Sequence, residues 1–264
     1  MKPIVRSLLI LVGLVCPLLG AQAGVMIQQE QRVPGKEPAV AQTIFYIDAG
    51  KLRIETKTAE GKETLIIFDQ AKQVVWVIDR SAGSYYELTS TQVQAMSARL
   101  NQAMQEMEAR LAQMPPERRK RMEGMMKQMM GQRGGTPKVT VREVSRGERM
   151  GQFLCTRYEL RTGGKLSREV WAAPLEQLQL QEAEYETFQA LGRFFEPLGQ
   201  RAPGGARWGA GDQQIEGFPV RSVTYAGQRV LAEDQVLKAE RQDLEASLFS
   251  LPAGLQKKEF APED

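Results

Sequence analysis

Residues 46–88 read YIDAGKLRIETKTAEGKETLIIFDQAKQVVWVIDRSAGSYYEL, and their apolar positions fall into strand-length groups. Leu52, Ile54 and Thr56 point one way while Arg53, Glu55 and Lys57 point the other, which predicts a half-buried strand. Leu65-Ile66-Ile67-Phe68 and Val74-Val75-Trp76-Val77-Ile78 are unbroken apolar runs, so both faces of those strands should be covered. Residues 69–72 and 79–83 supply turn chemistry between them, and connections this short make neighbouring strands antiparallel. Asp48, Asp69 and Asp79 close strands and read as turn formers rather than acids.

After Leu88 the period changes. Met96, Leu100, Ala103, Met104, Met107, Leu111 and Met114 share one side of a helix beginning near Thr91. Pro115-Pro116 interrupts it, and Pro116 suits the first turn of a second helix that carries Met122, Met125, Met126, Met129 and Met130 before Gly131, Gly134 and Gly135. The prediction is a methionine-rich helical hairpin inserted between strands over 91–133. Strand patterns return at Val139/Val141, at Phe153–Leu160 and at Val170-Trp171. Pro174 opens a helical stretch with Tyr185, Phe188, Leu191 and Phe195 in step, residues 199–217 form a glycine-rich loop, and strands follow near 219–226 and 229–240. Sheet, hairpin, sheet, helix, sheet is an α+β order, and an antiparallel sheet with helices on one side curls around them or leaves a groove.

The first residues bear on compartment. Lys2 and Arg6 precede an apolar run from Ser7 to Gly20, and Ala21-Gln22-Ala23 has the small-x-small form of a cleavage site. The expected division is a signal peptide over 1–23 and one domain over 24–264. The run is short of the roughly 20 residues a membrane span needs. Cys16 follows Val15 and precedes Pro17, so it reads as leader rather than as a lipidated first residue. That leaves Cys155 alone, with no internal disulfide available, and it reads as a small buried hydrophobe.

Without Lys2 and Arg6 the chain has 33 basic and 32 acidic residues, a balance that gives no argument for nucleic acid. It contains no histidine, which removes zinc-hydrolase sites, Ser-His-Asp triads and Cys-His pairs. The expectation is a non-enzyme without a cofactor.

Nine of the twelve methionines lie between Met96 and Met130. Three readings stand: core packing between two helices, a soft cover over a cavity for a greasy ligand, or thioether ligation of Cu(I). A helix sets Met122, Met125, Met126 and Met129 side by side rather than around a point, and no histidine completes a metal set. Arg118, Arg119, Lys120 and Arg121 lie in a stretch, 97–138, with nine basic and four acidic residues. They are candidate contacts to anionic headgroups, or else a solvated helix start. Arg53 could meet a phosphate or carbonyl on a concave surface.

GKLRIE, LIIFD, VVWVID and SYYEL followed by a helix, GQFLCTRYELRTGGKLSREVWAAPLEQL, and the closing LFSLPAGLQKKE resemble the bacterial lipoprotein-localisation (LolA/LolB) family. The resemblance implies a curved antiparallel sheet forming an unclosed half β-barrel, covered by the helices of 91–130 and 174–197, over an acyl-binding cavity. It implies a periplasmic, non-catalytic binding protein for a lipid, an acyl chain or a lipidated protein. Tyr46, Arg53, Phe68, Trp76, Met104, Met107 and Trp171 are then the expected lining. A relative of that fold senses envelope stress, so a sensor or scaffold holding a protein partner is the alternative, with Cu(I) handling the second.

Overall fold

The computed structural model describes residues 22–115, 118, 139–201 and 214–259. Twelve strands make one sheet: β1 (Gln22–Val33), β2 (Lys36–Asp48), β3 (Lys51–Thr58), β4 (Glu63–Asp69), β5 (Val74–Asp79), β6 (Ser84–Thr89), β7 (Val139–Met150), β8 (Phe153–Thr162), β9 (Lys165–Ala173), β10 (Phe218–Ala226), β11 (Arg229–Leu244) and β12 (Gln256–Lys258). Helix α1 (Ser90–Ala112) follows β6, and α2 (Glu182–Phe195) lies between β9 and β10. The lateral order is β12-β6-β5-β4-β3-β2-β1-β11-β10-β9-β8-β7, so the sheet does not close on itself. The ladders are antiparallel apart from β6–β12.

Curvature follows from what α2 touches. Phe188 meets Phe45 of β2 at 5.9 Å between ring centroids and Phe218 of β10 at 4.9 Å. These strands are three places apart in the order, about 14 Å on a flat sheet. One side chain reaches both only because the sheet bends around the helix. Farther along, Phe194 meets Phe68 of β4 at 5.8 Å. The residues α2 buries, Phe188, Ala190, Leu191, Phe194 and Phe195, follow the helical period noted in the sequence and join Val25, Ile27, Phe45, Ile47, Leu52 and Phe68 in the main core.

Polar latches fix the register of this helix. Gln181 and Glu184 make a reciprocal capping box at its start. The Thr187 hydroxyl accepts the Gly50 amide at 2.7 Å, which ties α2 to the β2–β3 turn. Arg241 of β11 donates to the Glu184 carboxylate at 2.7 Å and to the Gln179 carbonyl at 2.7 Å. Tyr185 donates to the Gly217 carbonyl at 3.1 Å. Gly217 has φ +92, and a Cβ there would stand 2.4 Å from the Ala173 carbonyl oxygen, so only glycine fits beneath α2 at this approach.

The run Leu65–Phe68 is buried throughout, as its composition predicts, and two different covers explain it. Ile66 and Phe68 face α2. Leu65 and Ile67, with Ile78, face the other way and pack beside Leu251 and Leu255 of the C-terminal segment. Asp69 accepts the Lys72 amide and Asp79 the Ala82 amide, both at 3.0 Å, in the turn-forming roles expected of them.

The N-terminal strands were the least visible in sequence. Gln28-Gln29-Glu30-Gln31 hides the alternation of β1, whose Gln22 and Ala23 already pair with Leu244 and Asp243. α1 lies where the first helix of the expected hairpin falls; the second helix, apart from Arg118, falls outside the described residues. Phe188→Ala should cost about 3–5 kcal/mol, because it opens a cavity between three elements. Urea unfolding of the purified protein measures this, and a loss below about 1 kcal/mol would contradict the wedge described for that ring.

Candidate functional site

The strands alternate, and that alternation divides the expected lining. Tyr46, Arg53, Ile67, Trp76 and Glu87 are successive partners across β2 to β6, so they form one row on the face opposite α2. Phe68 is paired with Leu52 and Val75 on the α2 side, where it is 0% exposed. Tyr46, Arg53 and Trp76 therefore cannot share a cavity wall with Phe68. The parity was available in the sequence, since Ile67 and Phe68 are adjacent in one strand and must point apart.

The outer row lies under a strap. After β11 the chain makes a 3-10 turn, Ala246–Phe249, passes Leu251 and Leu255 over the sheet and forms β12 beside β6. Arg53 is buried; its Nη1 donates to the Leu248 carbonyl at 2.8 Å and its Nε to Glu55 at 2.8 Å. Here the guanidinium holds the protein's own backbone where a phosphate or carbonyl of a ligand was expected. Trp76 donates through its indole nitrogen to Glu87 at 3.0 Å, and Lys257 of β12 donates to the other carboxylate oxygen at 2.7 Å. These two bonds hold the Glu87 carboxyl below the usual carboxylate range, Lys257 contributing most.

Trp171 occupies the other half of the sheet and belongs to the main core. The guanidinium groups of Arg157 and Arg221 lie over its ring at 5.3 and 4.7 Å, and its indole nitrogen donates to Glu148 at 2.6 Å. Arg157 also pairs with buried Glu169, which accepts the Tyr225 hydroxyl. Burial, followed by that carboxylate, pushes Tyr225 up to about 12. No sequence signal announces this network, because its members come from four strands and meet only through the pairing.

On α1, Val93 is fully buried, Met96 packs on the main core, and Ser97 donates to the Pro197 carbonyl at 2.7 Å. Met104 and Met107 lie further along the helix and are half-buried. A cleft of about 240 Å³ opens between the start of α1, the β4–β5 turn and the end of α2. Its lining mixes Val93, Ala190 and Phe194 with Gln70, Gln73, Gln94 and Arg193. Small-molecule sites run to roughly 300–1,000 Å³ and are mostly apolar, so this cleft falls short of an acyl-chain cavity. None of the expected lining residues borders it. The space between α2 and the sheet, where an acyl chain was expected, is occupied by phenylalanine.

Arg118 is exposed. Arg119, Lys120, Arg121 and methionines 122, 125, 126 and 129 lie outside the described residues. Among the described residues, no group of three His, Cys, Asp or Glu side chains could hold a metal ion, and no helix is long and apolar enough to cross a membrane.

No protein-family model and no curated protein matches the chain. Solved structures that contain MucB are among those similar to it. The Pseudomonas aeruginosa MucA/MucB complex gives a TM-score of 0.39 at 9% identity, over 89% of this chain and 58% of that one. MucB in complex with MucA(peri) gives 0.37 at 8%, over 89% and 57%, and MucB gives 0.37 at 8%, over 89% and 60%. The chain thus spans less than two thirds of the length of those chains, and its functional reading rests on its own geometry.

Burial pushes the Cys155 thiol from 9.0 up to about 11. The folded protein keeps this proton where the unfolded chain has lost it, so the associated stability is intact below pH 9 and disappears as pH rises toward 11. Two outcomes follow. Iodoacetamide at pH 8 should label Cys155 in urea but not in the native protein, and Cys155→Ala should flatten the decline in urea-unfolding stability between pH 9 and 11.

Proposed function

We propose that the chain is a non-catalytic binding protein of the bacterial cell envelope whose ligand is a segment of another protein. One observation carries the reading. Among the described residues the sheet stays open with two lateral edges, yet its concavity is filled by the side chains of α2, so its edges offer backbone to a ligand where its interior does not offer space. The leader-like start of the sequence supports an envelope location, and the missing imidazoles argue against the common hydrolytic chemistries. The lipid-carrier reading needs space for an acyl chain, which the phenylalanine-filled interior does not favour.

Native mass spectrometry of the protein purified from envelope fractions, after photo-crosslinking in cells, tests this. The expected result is a crosslinked protein that re-forms a stoichiometric complex when both components are purified and mixed. A stoichiometric acyl-chain adduct without a protein complex would overturn the proposal in favour of a lipid carrier.

A further inference from the structure

The two edges of the sheet are built differently. β7 has register irregularities between Glu143 and Ser145 and between Ser145 and Glu148, with Gly147 at φ +75. It also carries Arg142, Glu143, Arg146, Glu148 and Arg149. Bulges and dense charge are the devices that keep an edge from pairing with other chains. β6 has neither. Its sequence SYYELT is rich in strand formers, and it pairs with β5 in unbroken register.

What covers β6 is slight. β12 has three residues, all exposed, and its ladder reaches only Ser84, Tyr85 and Tyr86. It runs parallel, the slightly weaker arrangement per residue. One side-chain attachment is the ion pair of Lys257 with Glu87, and Lys257 is largely in solvent. Among the described residues, β5 is the one strand that pairs with β6 at Glu87, Leu88 and Thr89, and no second strand lies on the outer side there.

We propose that the free edge of β6 is a docking site for an extended, basic segment of the partner protein, and that β12 is a placeholder which this segment displaces. The inference rests on the binding-protein reading above and names its surface. The chain's own strap defines the partner's chemistry. Two apolar side chains four residues apart cover the cluster of Leu65, Ile67 and Ile78, as Leu251 and Leu255 do. A cation follows to meet Glu87, as Lys257 does. An upstream carbonyl accepts from Arg53, as that of Leu248 does. A longer strand gains the ladder positions at Glu87 and Leu88, short of Thr89, whose amide already donates to the Gln92 side chain at 2.9 Å, and this gain drives the exchange.

The probe is a dye-labelled peptide LPAGLQKKE, which copies residues 251–259, titrated against the full chain by fluorescence anisotropy. Lys257→Glu sets a carboxylate against Glu87 and loosens the strap, so peptide binding should tighten about two- to fivefold. A Tyr86→Cys/Lys258→Cys pair joins two residues already in register. Its oxidised form should abolish binding, and reduction should restore it. Near-UV circular dichroism confirms that each variant is folded. Equal binding by the oxidised and reduced forms, or no binding by folded Lys257→Glu up to millimolar peptide, would overturn the proposal. So would an envelope partner whose crosslinks map away from Ser84–Thr89, although the broader reading would then survive. Peptide docking without any envelope partner would uphold the edge and sink that reading.

Discussion

Phe188, wedged between a ring from β2 and a ring from β10, is the contact that bends the sheet into a trough. Without a helix to wrap, twelve strands would leave a long apolar face in water, and the twist of so wide a sheet would have no fixed axis. Thr187 and Glu184 set where along the trough the helix lies, and the phenylalanines set how tightly the strands close on it. Such packing has a functional side effect. A trough that uses its own aromatic residues to hold its shape has little room to give a guest.

The outer face has a different logic. An apolar patch built from Leu65, Ile67 and Ile78 needs a cover, and the chain supplies one from its final described residues rather than from a helix. Among the described residues, that cover is held by two leucines, an arginine-to-carbonyl bond, an ion pair and the three-residue ladder of β12 on β6. Segments with so few buried contacts open at a free energy well below that of global unfolding. The same surface is therefore protected in the resting protein and available without unfolding the core.

Most strands from β3 onward were legible because β-branched and aromatic runs are bounded by turn residues, and the α+β order follows from them. β1 escaped because a row of glutamines carries no hydrophobic signal, although its neighbours hold both of its edges. For α2 the spacing of Phe188, Leu191 and Phe195 gave the buried face but not its depth. Periodicity shows that a stripe is apolar; it does not show whether the opposing surface leaves space. The candidate site suffered for a related reason. Tyr46, Arg53, Trp76 and Phe68 were grouped by residue type, whereas the sheet sorts them by parity, and the arginine's partner is a backbone carbonyl about two hundred residues away. Tertiary pairing of that range leaves no local trace.

β1 and β11 form the seam between the two halves of the sheet, and Arg32 at one end of that seam pairs with Glu233. Contacts separated by so much chain close late, since the entropy of the intervening loop must be met before the ladder rewards it. The first strand made is consequently among the last to be completed. Until β11 arrives, β1 is paired with β2 alone and its other flank stays open.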